Sequence, residues 1–405
     1  MSEAVPPARE APFLFTLAGV QFAHVLDFMI MMPLGPILMA ALKIGPHEFG
    51  LLVAAYSFSA AGAGVLAAAV VDRFERKGFL LACLALFALA TLACGLATDY
   101  TFLVVARCLA GVFGGILGSL IHTMVGDVIP FARRARASGV ISSAFSLSTI
   151  AGVPFSLWLA NHLGWRSPFI AIALMGAVVM LAGWRWLPTL RAHLATPHQG
   201  HPFTAAVNVL KDANHRRALL FSALIIFSGF TVIPYITLFA VSNVGIPQAD
   251  IPIVYLVGGA ATFVCARLIG RWADRSGKVR IYRLLALLAS LPVLALTHAG
   301  PSPLWLWLIG TTSFFVLVSG RMIPAMAIIA SAAEPRLRGT FMSLHGTVQS
   351  LAMALASSLA GFLITQSGRG QIEGYPLVGY VAVAANLLAI AFVSRIVMHG
   401  ATRKG

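Results

Sequence analysis

Carboxylates are scarce in this chain: 13 Asp and Glu stand against 28 Lys and Arg in 405 residues, and only 10% of side chains are charged while 59% are hydrophobic. So little charge cannot clothe one water-soluble domain. Cysteine is rarer still. The four thiols, Cys83, Cys94, Cys108 and Cys265, all fall inside apolar segments, where small apolar packing is the expected role and disulfide pairing is not. The sequence also lacks a paired-Asp diphosphate site, a His-rich metal cluster at a membrane face and a Gly-rich phosphate loop of the nucleotidase kind. Those absences argue against an integral-membrane enzyme and against ATP-driven pumping. The linker histidines His193, His198 and His201 have loose metal-like spacing but no acid or cysteine beside them. Neither a metal nor an organic cofactor is expected.

What the chain does have is long apolar runs. A spanning helix needs about 20 apolar residues. Twelve segments qualify: 13–41, 48–70, 78–98, 101–127, 137–161, 167–187, 216–243, 249–272, 280–299, 303–329, 339–367 and 375–398. The expected fold class is all-α integral membrane, with the lipid bilayer as solvent. The first segment follows a short polar tail without a small-residue cleavage site and outruns a signal-peptide core, so it is read as retained. Laid alternately across a bilayer with the N-terminus inside, the spans gather Arg73, Arg76, Lys77, Arg133, Arg134, Arg136, Arg185, Arg191, Lys211, Arg216, Arg217, Arg275, Lys278, Arg280, Arg283, Arg336, Arg338, Arg395, Arg403 and Lys404 on one side. Lys43, Arg166 and Arg369 remain on the other. This positive-inside bias places both termini in the cytoplasm and the protein in the inner, cytoplasmic membrane. It accounts for the net charge of +15 without a nucleic-acid partner.

The chain repeats itself. AAVVDRFERK at Ala68 to Lys77 follows the second span and GRWADRSGK at Gly270 to Lys278 follows the eighth; aligning Asp72 with Asp274 gives an offset of 202, which also carries Arg136 onto Arg338. Two landmarks sharing one shift divide the chain into six spans plus six, a duplication typical of secondary transporters. The expected domains are an N-terminal bundle over 1–187, a cytoplasmic linker over 188–215 and a C-terminal bundle over 216–405.

Asp27 is the only carboxylate deep inside an apolar segment. An acid in hydrocarbon costs roughly 2.5 to 3.5 kcal/mol on insertion scales, so its presence is by default a functional hypothesis. Arg107 opens the fourth span, and both residues fall in the outer half of their helices, so a pair is geometrically plausible. Either the pair is a fixed structural one, or Asp27 has a proton affinity that varies with its distance from Arg107 and so couples protons to conformation. His24, one turn away, either extends a proton relay or donates to a backbone carbonyl.

Arg321 in the tenth span has no acid at its depth in that half. It binds an anionic or polar substrate, snorkels to the inner surface, or hydrogen-bonds carbonyls. His122, Gln349, His345, Asn386 and Tyr235 either line a midplane cavity with Met31 and Phe230 or make interhelical hydrogen bonds. Gly152 and Pro154 in the fifth span, and Pro33 in the first, are the candidate helix bends.

These residues resemble the major facilitator superfamily over nearly the whole length. The family's loop motif G-x-x-x-D-R-x-G-R-K is met by Gly270, Asp274, Arg275, Gly277 and Lys278, and in the first half by Asp72, Arg73, Arg76 and Lys77, with Ala68 and Glu75 where glycines are usual. The resemblance implies that these loops act as conformational latches, and that the fold is two pseudo-symmetric six-helix bundles. Asp27 with Pro33, Gly35 and Pro36 is similar to the first-helix motif of proton-coupled drug and sugar exporters (the arabinose-efflux-like branch), and Arg107 with Gly111 is like the family's R-x-x-x-G pattern in the fourth helix. Gly152, Val153 and Pro154 resemble a variant of the antiporter signature. The resemblance implies a monomeric antiporter exporting a small organic molecule against protons, with the proton gradient as energy source. The runner-up is proton-coupled uptake of a sugar or organic anion.

Overall fold

The computed structural model describes residues 7–70, 73–191, 194, 202–334, 337–368 and 370–399. Helices α1 (Pro7–Ile30), α2 (Gly35–Leu42), α3 (Pro46–Val70), α4 (Arg76–Leu96), α5 (Tyr100–Val128), α6 (Phe131–Leu147), α7 (Val153–Leu163) and α8 (Ser167–Trp186) precede a linker helix, α9 (Pro202–Lys211). There follow α10 (Ala213–Phe230), α11 (Ile236–Phe239), α12 (Ile251–Ser276), α13 (Lys278–Thr297), α14 (Leu304–Gly320), α15 (Met322–Ala332), α16 (Arg338–Leu363) and α17 (Tyr375–Val393). A two-stranded antiparallel pair, β1 (Thr365–Gln366) with β2 (Ile372–Glu373), is the one departure from an all-helical reading among the described residues.

Among the described residues eleven helices are long and apolar enough to cross a membrane, and twelve if the bent pair Gly35–Leu42 and Pro46–Gly64 counts as one span. The first expected span, 13–41, is not continuous. It stops at Ile30 and resumes at Gly35, because Pro33 and Pro36 remove two amide donors from the ladder and Gly35 offers no side chain to stiffen it. Elsewhere the helix starts obey local chemistry. Asp99 Oδ1 accepts from Phe102 N at 2.9 Å to cap α5, and Asp212 Oδ1 accepts from His215 N at 2.7 Å to cap α10. Pro168, Pro252 and Pro376 sit in first turns, where no amide is needed.

Two units cluster separately: Met1–Ile37 with Ala55–Gln199, and Leu38–Ala54 with Gly200–Gly405. The first is cored by Phe13, Leu17, Leu84, Phe87, Leu117 and Ile121, the second by Phe221, Ile225, Tyr282, Ile328 and Phe341. Around these cores the outward faces stay apolar, with Phe155, Leu174, Trp184, Leu291 and Trp305 all exposed. Such surfaces suit hydrocarbon, where helices can satisfy every backbone group within themselves.

Candidate functional site

In the first unit Asp27 and Arg107 meet. Arg107 Nη1 lies 2.8 Å from Asp27 Oδ2 with neither side chain exposed, and it reaches the Asp27 carbonyl at 3.3 Å. Tyr56 on α3 lies under the cation, its ring centroid 4.6 Å from the guanidinium carbon, an arrangement that holds a cation by the ring quadrupole. Thr91 stands beside the carboxylate and Cys94 beside the guanidinium, both on α4. The pair is therefore enclosed by α1, α3, α4 and α5. Asp27 Oδ1 and Arg107 Nε and Nη2 find no hydrogen-bond partner among the described residues.

The glycines of α5 explain how Tyr56 comes so near. A Cβ on Gly111 would fall within contact distance of the Tyr56 backbone, one on Gly114 would overlap the Tyr56 hydroxyl, and one on Gly115 would stand 2.8 Å from the Ala60 carbonyl oxygen. Small residues at this spacing let helix backbones close up. One turn from Asp27, half-buried His24 brings its Nε2 within 3.1 Å of Gln21 Oε1, a hydrogen bond within α1. His122, exposed on α5, is close enough to His24 to act on it electrostatically. Met31 is fully buried at the break after α1.

The fifth span changes to a π turn where the sequence places Gly152, just before Pro154. Residues Ser148–Gly152 form a π turn, with Val153 N donating to Ser148 O. Widening the helix by one residue absorbs the donor that Pro154 lacks. Gly152 lets this turn lie against α1, since a Cβ there would meet Leu26 Cδ1 at 2.8 Å. Pro33 sits in the turn between α1 and α2.

The second unit holds a different polar cluster. Arg321, at the junction of α14 and α15, is 2% exposed and does not snorkel. Its Nη1 donates to Asn386 Oδ1, and its Nη2 donates to Ile225 O and Ser228 Oγ, both at 3.3 Å. Asn386 in turn donates to Ala286 O at 2.6 Å and Ser290 Oγ at 3.1 Å, tying α13, α14, α15 and α17 to α10. His345 pairs with Ser222 at 2.8 Å. Tyr235 is buried, its hydroxyl donating toward Pro46 O at 3.1 Å and Ser357 O at 3.3 Å, whereas Gln349 is half-buried on α16.

Of the loop-motif residues, Asp72 lies outside the described residues. Arg73 is exposed, while Arg76 is buried with its Nε 3.2 Å from Asp127 Oδ2 at the end of α5. Asp127 was not singled out from sequence, although an acid closing a span beside a basic loop is a legible signal. Glu75 proves to be the cap of α4, accepting from Lys77 N at 2.9 Å, Gly78 N at 2.6 Å and Leu190 N at 3.0 Å. Burial pushes its carboxyl up, but those three amides and the nearby Arg191 outweigh it and hold the group below the usual glutamate range. In the second half Gly270 is half-buried, Asp274 and Arg275 are exposed at the end of α12, and Gly277 follows with φ +90°. No ion pair to Asp274 occurs among the described residues. Arg267 lies exposed over the Phe263 ring at 5.1 Å.

Known proteins share this plan. The chain is 28% identical over 338 residues to the transcription regulatory protein OpdE of Pseudomonas aeruginosa, covering 80% of this chain and 78% of that one. It is 26% identical over 361 residues to multidrug resistance protein 2 of Bacillus subtilis, covering 87% and 88%. The crystal structure of a bacterial homologue of the human lysosomal transporter Spinster, inward-facing and occupied, superposes with a TM-score of 0.73 at 17% identity over 97% of this chain and 98% of the other. The fold is that of multi-pass membrane transporters acting on small molecules across a lipid bilayer, not of enzymes. Because the sequence model of the Major Facilitator Superfamily matches residues 17–356 and 268–403, the chain belongs to that superfamily.

Proposed function

We propose that this transporter exports a small organic molecule in exchange for protons, with Asp27 as the proton carrier. The observation that carries this reading is the fully buried ion pair of Asp27 and Arg107 at 2.8 Å. Separating two such charges in an apolar interior is costly unless one is neutralised first. A proton on Asp27 does that. The pair is then a two-state element whose proton occupancy and helix arrangement bias each other, and reciprocity of linkage makes proton binding drive conformation. Moving one charge across 100 mV is worth about 2.3 kcal/mol, enough for roughly fifty-fold accumulation.

Export is supported by the likeness to multidrug resistance protein 2 and by the π turn at Ser148–Gly152 before Pro154. In this reading the protein acts as a monomer in the inner membrane with both termini cytoplasmic, and the proton gradient replaces any cofactor. Arg321, without a carboxylate partner among the described residues, favours a second reading, proton-coupled uptake of an organic anion.

Vesicles separate the two readings. Purified protein is reconstituted with a pH-sensitive dye inside, a pH gradient is imposed in either direction, and a panel of labelled drugs, sugars and organic acids is supplied. Exchange requires substrate and protons to move in opposite directions, with flux lost in Asp27→Asn. Movement in the same direction establishes uptake and sinks the export reading.

A further inference from the structure

The offset of 202 that aligns the two loop motifs also sets Asp27 of α1 opposite Gly229 of α10. In the first half Arg107 answers the acid. At the same offset Arg107 falls on Ile309, so the cation near Gly229, Arg321, has no counterpart in the first half, and the acid is missing. A Cβ built on Gly229 would stand 4.0 Å from Arg321 Nη2. Packing does not demand glycine here, since the same Cβ would meet Ile233 Cδ1 at 3.6 Å and Val318 Cγ1 at 3.7 Å, both ordinary contacts. Conformation does not demand it either, because Gly229 lies within α10 and is not among the positive-φ glycines.

Among the described residues Arg321 meets only neutral groups: Asn386 Oδ1, Ile225 O and Ser228 Oγ. Its Nε has no partner among the described residues, and neither has the fully buried hydroxyl of Tyr282, close enough to feel the cation. A guanidinium cannot shed its proton in a protein. Held in an apolar core it is stabilised by carbonyls or, more strongly, by an anion.

We propose that Arg321, with Tyr282, Ser228 and Asn386, forms an anion-recognition site, and that the transported molecule is an organic anion whose carboxylate or equivalent group lies beside Gly229. This assignment rests on the transporter reading above and names its substrate class. The planar fork of arginine matches a carboxylate in two parallel hydrogen bonds. The site is closed in this conformation, Arg321 being 2% exposed, so the anion enters through the rearrangement that alternating access supplies. Export of a monoanion against one proton would carry two charges inward per cycle, so the membrane potential would drive it strongly.

The test is binding to the full-length protein in detergent, read by thermal unfolding and titration calorimetry. Matched acid and amide pairs are used, from acetate and acetamide to benzoate and benzamide, with chloride as a separate arm. Carboxylates are expected to stabilise the protein where their amides do not, and Arg321→Gln should weaken that binding roughly tenfold or more. Gly229→Asp, which tethers a carboxylate in the same place, should raise the unfolding temperature and remove the response to added acids; in an Arg321→Gln background it should lower the temperature instead. The proposal is overturned if acids and amides act alike, or if Gly229→Asp has the same effect in both backgrounds. Chloride acting as well as the carboxylates overturns the organic-anion assignment. No gradient enters this measurement, so its failure leaves the export reading standing, and failure of exchange in vesicles leaves the site standing.

Discussion

Glu75 and Gly277 occupy equivalent points of the repeat, 202 residues apart, yet their backbones differ in the sign of φ, at −59° and +90°. Gly277 is a glycine because its conformation crowds any Cβ. Glu75 is free of that demand and uses its side chain instead, closing the first turn of α4 and holding Leu190 at the start of the linker.

Substitution should separate these two roles. Gly277→Ala is expected to cost about 1 to 2 kcal/mol through the left-handed backbone, whereas Glu75→Ala should cost about 1 kcal/mol as a lost cap. Only the second should depend on pH. Because the Glu75 carboxyl titrates below its ordinary range, its contribution is present above that range and disappears as pH falls through the depressed value. Thermal unfolding of wild type and Glu75→Ala should therefore differ at neutral pH and converge in acid. A gap that persists in acid would show that the carboxylate is not what stabilises this turn.

The glycines of α5 permit a graded prediction. A Cβ on Gly111 has nowhere to go, since the Tyr56 backbone fills the space, but one on Gly118 would meet His24 at 3.7 Å or beyond. Gly111→Ala should push α3 and α5 apart and cost 1 to 3 kcal/mol, about the range of overpacking. Gly118→Ala should change stability by less than about 0.5 kcal/mol, or raise it through better helix propensity. Equal effects in thermal unfolding would mean that close approach of α3 to α5 is not what these glycines serve.

The contrast shows what a sequence can and cannot disclose here. Spans, repeat and the Asp27–Arg107 pair were legible because hydrocarbon punishes every charge and every break, so each exception is conspicuous. The interruption after Ile30 was signalled by Pro33, Gly35 and Pro36, although apolar content alone ran the first span on to residue 41. The partners were not legible. That Tyr56 lies under Arg107, that Asp127 takes Arg76 and that Glu75 reaches Leu190 depend on which helix faces meet, and hydropathy is nearly blind to rotation in helices apolar all round.

Tyr235 illustrates the same limit and gives a further prediction. Polar and deep in a span, it reads equally as a cavity residue or an interhelical bond; in the structure its hydroxyl is directed at Pro46 O and Ser357 O, and its ring meets Phe49 edge-on at 5.8 Å. Tyr235→Phe should keep the ring contact and lose about 1 kcal/mol of hydrogen bonding. Unfolding temperature should fall while the affinity for a bound carboxylate stays unchanged. A drop in affinity at constant stability would return Tyr235 to the substrate cavity.

Asp27 and Arg107 allow coupling to be distinguished from mere pairing by a double substitution. Removing one member leaves the other charged and dry, which costs about 3 to 5 kcal/mol, whereas replacing both by apolar residues of similar volume is often neutral. Asp27→Asn and Arg107→Gln should each lower the unfolding temperature, and Asp27→Leu combined with Arg107→Met should recover most of the loss. A structural pair predicts that this recovered protein transports normally. A proton carrier predicts a folded, substrate-binding protein that equilibrates its substrate but no longer concentrates it when a pH gradient is imposed. Gradient-driven accumulation by the doubly substituted protein would place the energy coupling at another residue.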